Sequence, residues 1–181
     1  MQIKNTSLEG VMLIEPKVFG DARGYFFESF NARRFADLTG ISAAFVQDNQ
    51  SRSAKGVLRG LHYQIQQPQG KLVRVIAGEI FDVAVDVRRA SRTFGQWCGF
   101  TLSAENKCQA WVPAGCAHGF VVVSDYAEIL YKTMDYWAPE HERCIRWDDS
   151  QLGIKWPREA PPLLSAKDAQ GVAFASAEVF P

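Results

Sequence analysis

The sequence is short of several features, and each shortage excludes something. It has no excess of either charge: 20 Lys+Arg face 20 Asp+Glu, and the pI is about 6.8. Proteins that neutralise many duplex phosphates carry a basic surplus, so no nucleic-acid partner is expected. It has no long hydrophobic run. The first one, Val11-Met12-Leu13-Ile14, lies between Glu9 and Glu15, far short of a signal-peptide core or the ~20 residues of a membrane helix, so no membrane association is expected. The four cysteines, Cys98, Cys108, Cys116 and Cys144, form no C-x-x-C pair and no ligand-like grouping. A chain of this length buries a core without disulfides, and the cysteines read as reduced thiols of a cytoplasmic protein. Repeats, low-complexity stretches and linkers are also lacking, so residues 1–181 read as one domain.

What is present favours β-structure. Aromatic residues and turn formers are plentiful, with 12 Phe, 5 Trp and 5 Tyr beside 14 Gly and 8 Pro. Turn signals such as Gly20-Asp21-Ala22-Arg23-Gly24, Gln67-Pro68-Gln69-Gly70 and Pro113-Ala114-Gly115 separate runs of strand type at 25–30, 45–50, 57–63, 72–76, 80–87, 97–102, 120–123 and 128–133. This spacing predicts an all-β sandwich or barrel rather than alternating β and α units. One short helix is expected near 31–38, with Asn31 as N-cap and Gly40 as stop. The Pro-rich change of character at 156–162 predicts that residues 156–181 wrap over the barrel. In 80–87, Phe81, Val83, Val85 and Val87 form the expected core face. Ile80, Asp82, Ala84 and Asp86 form the other, which reads as solvated or as lining a polar cavity.

Chemistry has few places to reside, because there are three histidines. His62 follows Arg59-Gly60-Leu61. Strict alternation would send Arg59 and His62 to opposite faces, and a bulge at Gly60 would bring both inward. His118 closes a P-x-G-x-x-H run that resembles part of the second metal motif of cupin β-barrels. The H-x-H pair of the first cupin motif is missing, however, since Tyr63 and Gln64 follow His62. A metal centre needs three or more converging ligands, so metal-free chemistry is the expectation. His141 reads as a loop residue. Imidazole, ammonium and phenol side chains suit proton removal beside a carbonyl followed by reprotonation. On the residues alone, Asp168 reads equally as part of a helix cap, Lys71 as an edge-protecting lysine and Tyr131 as a half-buried strand aromatic.

Longer motifs decide between these readings. Residues 19–28 (Phe19 to Glu28), 45–49, 57–64, 69–74, 81–86, 91–95, 113–120 and 164–168 occur in order and closely resemble the dTDP-4-dehydrorhamnose 3,5-epimerase family. The resemblance implies a cupin-type jelly roll without metal or cofactor, working as a homodimer. It implies inversion of C3 and C5 of dTDP-4-dehydro-6-deoxy-D-glucose to give dTDP-4-dehydro-L-rhamnose. By that likeness His62 is the base and Asp168 its carboxylate partner, Tyr131 the acid and Lys71 the stabiliser of the enolate. Arg59 and Arg23 would bind the diphosphate, and Glu28, Gln47, Asp48 and Asn49 the thymidine end. Strands near the N-terminus would help complete the partner's site. His118, Tyr136, Glu142 and Lys167 match with less defined roles, His118 as a possible mate of Asp82.

Two departures stand out. Cys144 replaces a usual Gly, and Asp149-Ser150 replaces a usual Asp-Pro. Both are expected in the loop after Tyr136, clear of His62, Tyr131 and Lys71. The alternatives are a single-site epimerase, a metal-dependent cupin and a non-catalytic nucleotide-sugar-binding jelly roll.

Overall fold

Alternation of polar side chains builds the strand that sets the register of the site. In 47–54, Gln47, Asn49, Ser51 and Ser53 are sheltered while Asp48, Gln50, Arg52 and Ala54 are exposed. The computed structural model describes residues 1–42 and 44–181. In chain order they form β1 (Gln2–Asn5), β2 (Met12–Glu15), β3 (Val18–Asp21), β4 (Gly24–Phe27), α1 (Ala32–Thr39), β5 (Gln47–Ala54), β6 (Leu58–Gln64) and β7 (Lys71–Ala77). They continue with β8 (Glu79–Asp86), β9 (Trp97–Ser103), β10 (Gln109–Val112), β11 (Cys116–Val122), β12 (Tyr126–Thr133), β13 (Glu142–Cys144) and α2 (Ala166–Ala169).

Two antiparallel sheets result, in the orders β1-β2-β10-β7-β12-β5 and β13-β6-β11-β8-β9, with β3-β4 as a separate hairpin. The sheets face each other in a jelly roll whose ladders do not close from one sheet to the other among the described residues. Between them lies a core drawn from both. Val73, Val75, Ala110, Ala127 and Ile129 of the first sheet meet Ile80, Ala84, Leu102, Phe120 and Val122 of the second.

The two outer faces are covered differently. Over the six-stranded sheet, α1 lays Phe35 against Trp111, at 5.3 Å and 70° between rings. Phe30 and Phe45 join this cluster. Burying Trp111 and Phe35 contributes roughly 2–3 kcal/mol each by area. Asn31 caps α1 by accepting the Arg34 N–H, and Gly40 ends it with φ +71°, so the expected helix is present one residue later than read.

Over the five-stranded sheet runs the C-terminal segment. Leu152, Ile154, Trp156, Phe174, Val179 and Phe180 cover Val83, Val85 and Val87. The expected wrapping is therefore present, and it begins slightly earlier than residue 156. It also reverses the reading of β8. The side bearing Phe81, Val83, Val85 and Val87 is the outside of the jelly roll, made apolar by the wrap. Ile80, Asp82, Ala84 and Asp86 face the interior, and both aspartates are fully buried. Alternation gives the two faces but does not say which is inside when both are covered.

Candidate active site

The site is a cavity of about 140 Å³ between the sheets, lined in part by Ser51, Arg59, His62, Lys71, His118 and Tyr131. Arg59 and His62 share it because β6 is irregular at Gly60. The pairing of β11 with β6 shifts register between His118 and Phe120, and Gly60 has φ +115°. A Cβ on Gly60 would come within 2.6 Å of Gly119 Cα and His118 O, and one on Gly119 within 2.7 Å of Arg59 O. Only a glycine pair permits this approach. The expected bulge is real, and it turns the guanidinium and the imidazole to one side.

Two imidazole–carboxylate pairs stand on the five-stranded sheet. His62 Nε2 lies 2.6 Å from Asp168 Oδ1. Asp168 comes from α2, where Ser165 caps the helix by accepting the Asp168 N–H at 3.1 Å. The Ser165 hydroxyl also donates to Asp168 Oδ2 at 2.6 Å, and the Gly60 N–H donates to Oδ1 at 3.1 Å. Residues 165–168 thus cap a short helix and also bring a carboxylate to His62. Burial pushes the Asp168 carboxyl up, but His62, Ser165 and Gly60 outweigh it and hold it at about 2. The second pair is His118 Nε2 to Asp82 Oδ2 at 2.8 Å, with His118 opposite His62 across the ladder.

Lys71 and Tyr131 come from the other sheet. β7 is interior to its sheet, between β10 and β12, so Lys71 guards no edge; it is buried. Burial lowers its ammonium to about 8, against the upward pull of Glu142 and Asp82. Burial raises the Tyr131 phenol, helped by the Glu142 carboxylate. Glu142 lies at the rim and bonds to Lys167 and to Trp137 Nε1 at 3.0 Å. Burial pushes the Glu142 carboxyl up, but those two bonds and nearby His62 bring it below its usual range. Tyr136 is exposed beside it, on a loop held by Gln64, whose Nε2 donates to Tyr136 O and whose Oε1 accepts from the Ala138 N–H.

Of the residues named for the thymidine end, Gln47 and Asn49 lie on the sheltered side of β5, Asn49 directly opposite Tyr131. Gln47 donates to Asn49 Oδ1 at 2.9 Å and accepts the Trp137 N–H. Asp48 lies on the other face, 2.9 Å from Lys132. Arg23 is exposed on the β3–β4 hairpin and paired with Asp21. Glu28 is bound to Asn31 and Arg34 beside α1. Neither residue lines the cavity.

Sequence reasoning missed Ser51, which lines the cavity, and Ser53, which accepts from Arg59 Nε at 3.0 Å; their signal was the period of two that they share with Gln47 and Asn49. It also missed the reach of Cys144. Far from standing clear, Cys144 is the register partner of His62 across β13 and β6, and its thiol groups with His62 and Asp168 within 4.8 Å. The non-local pairing of β13, only three residues long, with β6 explains the miss. Burial raises the Cys144 thiol to about 11. Ser150, the other departure, is exposed at a turn capped by Asp149.

A jelly roll enclosing a histidine–carboxylate pair, a buried ammonium and a buried phenol holds the groups that acid–base chemistry beside a carbonyl needs. Residues 5–176 match the family described as dTDP-4-dehydrorhamnose 3,5-epimerase. A curated protein of that name from Pseudomonas aeruginosa is 65% identical over 181 residues, covering 100% of both chains. The crystal structure of a Legionella pneumophila 3,5-epimerase in complex with dTDP-4-keto-L-rhamnose matches with a TM-score of 0.95 and 55% identity, over 98% of this chain and 94% of that one. A Streptomyces bikiniensis 3'-monoepimerase in complex with dTDP-quinovose matches with a TM-score of 0.89 and 33% identity, over 97% and 88%. The chain belongs to the dTDP-4-dehydrorhamnose 3,5-epimerase family.

Proposed function

We propose that this chain inverts C3 and C5 of dTDP-4-dehydro-6-deoxy-D-glucose, giving dTDP-4-dehydro-L-rhamnose. One observation carries the mechanism. His62 stands on one sheet and Tyr131 on the other, and both line one cavity. The C4 ketone acidifies the C–H bonds at both neighbouring carbons. His62 removes the proton, and Asp168, held ionised by its bonds to Ser165 and Gly60, steadies the imidazolium. Charge then develops on the C4 oxygen, where the Lys71 ammonium meets it in a water-poor pocket. Tyr131 returns a proton from the opposite side, which makes the outcome an inversion. Arg59, oriented by Ser53, binds diphosphate. Gln47 and Asn49 contact the nucleoside, and Tyr136, Glu142 and Lys167 form the rim over the sugar.

The position of Arg23 and Glu28 away from their own cavity, on and beside a hairpin exposing Phe19, Tyr25 and Phe26, supports a homodimer in which this hairpin completes the partner's site. Sedimentation velocity checks that state. Four free cysteines support a reducing, cytoplasmic setting, and no described helix is long and apolar enough to cross a membrane.

The 3'-monoepimerase likeness keeps single-carbon inversion as a second reading. Proton NMR of the substrate with the protein in heavy water separates the two. Loss of both the C3 and C5 signals is expected. Loss of one would make the chain a single-site epimerase, and loss of neither would overturn the catalytic reading.

A further inference from the structure

We propose that His62, Cys144 and Asp168 form a binding site for one zinc-class divalent cation, and that filling it switches the enzyme off. Three independent elements bring these residues together. His62 comes from β6, Cys144 from β13 and Asp168 from α2, and their ligand atoms lie within 4.8 Å of one another. His62 and Cys144 are direct cross-strand partners, so their side chains share one side of the sheet. Nε2 of His62 already faces Asp168 Oδ1 at 2.6 Å, so a cation can stand where the proton between them would. Asp168 is already oriented by Ser165 and Gly60, the outer-shell support that metal-bound carboxylates need.

Ligand chemistry selects the cation. Thiolate, imidazole and one carboxylate suit zinc, whereas magnesium and calcium take oxygen-rich sets. Tetrahedral zinc with bonds of about 2.0–2.3 Å requires ligand atoms about 3.3–3.6 Å apart. His62 and Asp168 must therefore open slightly from their 2.6 Å contact, while Sγ, within 4.8 Å of both, closes to bonding range. On binding, the Cys144 thiol proton leaves to solvent and the sulfur becomes thiolate. Neither Ser150 nor the buried thiols Cys98, Cys108 and Cys116 offers a comparable cluster among the described residues.

The binding half stands on geometry alone, and the inhibitory half rests on the reading of His62 as the base. Chelator-treated full-length protein titrated with Co²⁺ separates them. We expect one equivalent to produce a thiolate-to-cobalt charge-transfer absorption. Zn²⁺ should bleach it, and equimolar Zn²⁺ should stop deuterium exchange at the sugar. Cys144→Ser, close to isosteric, and Cys144→Gly should both lose the absorption and bind zinc at least about tenfold more weakly, the lower end of the loss seen when even an outer-shell partner is removed. Absence of the absorption in the parent protein, or equal zinc affinity in Cys144→Ser, overturns the site. A normal cobalt spectrum in a protein that exchanges no sugar protons would leave the metal site standing and remove the catalytic reading instead.

Discussion

The two imidazole–carboxylate pairs are built from the same groups yet are equipped for different work. His118 and Asp82 come from neighbouring strands of one sheet; the His118 side chain is 10% exposed and that of Asp82 fully buried. Asp82 Oδ1 has no partner among the described residues. His62 is more open, at 25%, and its carboxylate comes from a helix in the wrapping segment, with a hydroxyl and a backbone N–H satisfying its oxygens. A base that gains and loses a proton each cycle needs access to substrate and a counter-ion that stays ionised, and the more open His62 with its well-bonded Asp168 meets both needs. The buried pair instead places a carboxylate near Lys71, whose ammonium it helps to retain. On the proposed mechanism, one pair moves protons and the other holds charge.

The largest test of that division is His62→Ala. Turnover should fall toward ~10⁴-fold, the upper range for a general base, with dTDP binding retained by calorimetry; near-normal turnover would exchange the roles of the two pairs. Next comes Lys71→Gln, expected to cost ~10²–10³-fold in kcat. In the parent protein the same lysine predicts a decline in kcat as pH rises through about 8, where the ammonium is lost. Glu142→Gln should move that limb to lower pH, because the Glu142 carboxylate favours the charged lysine.

A sharper comparison sets Asp168→Asn beside Asp82→Asn. The first should lower kcat by ~10²-fold or more, since the imidazolium loses its counter-ion. The second should lower kcat less than about tenfold while reducing stability by about 3 kcal/mol in urea, the cost of breaking a buried pair. Equal losses of kcat would erase the distinction. Smallest is Ser165→Ala, which removes a helix cap and costs about 1 kcal/mol. The folded Asp168 carboxyl, at about 2, lies below its ordinary 3.8, so its contribution is present above pH 4 and is lost as pH falls toward 2. Without the Ser165 hydroxyl this gap should narrow, and acid unfolding monitored by circular dichroism should show less pH dependence in that window.

Much of this arrangement is legible in the sequence. The strands at 72–76, 80–87, 97–102 and 128–133, the helix with its Asn31 and Gly40 ends, and the C-terminal wrap all announce themselves locally. The irregularity at Gly60 could be anticipated because strict alternation would have parted Arg59 from His62. What escaped is non-local. β1, β2, β3, β10 and β13 are each three or four residues long, too short for periodicity to register. Which face of β8 is inside depends on a segment some 70 residues downstream. Asp48 falls on the far face of β5 because alternation separates it from Gln47 and Asn49, although the three adjoin in sequence. Cys144 reaches His62 only through the pairing of β13, which nothing in 142–144 signals.

The measurement closest to the central claim is made on Tyr131→Phe. If base and acid act from opposite sheets, this variant should still wash the C3 and C5 protons into heavy water through His62 while inversion lags, so that the ratio of exchange to epimerisation, read by NMR, rises by ~10²-fold. Exchange and epimerisation falling together in a folded variant would contradict the account, because the two faces of the sugar would then be served by one group.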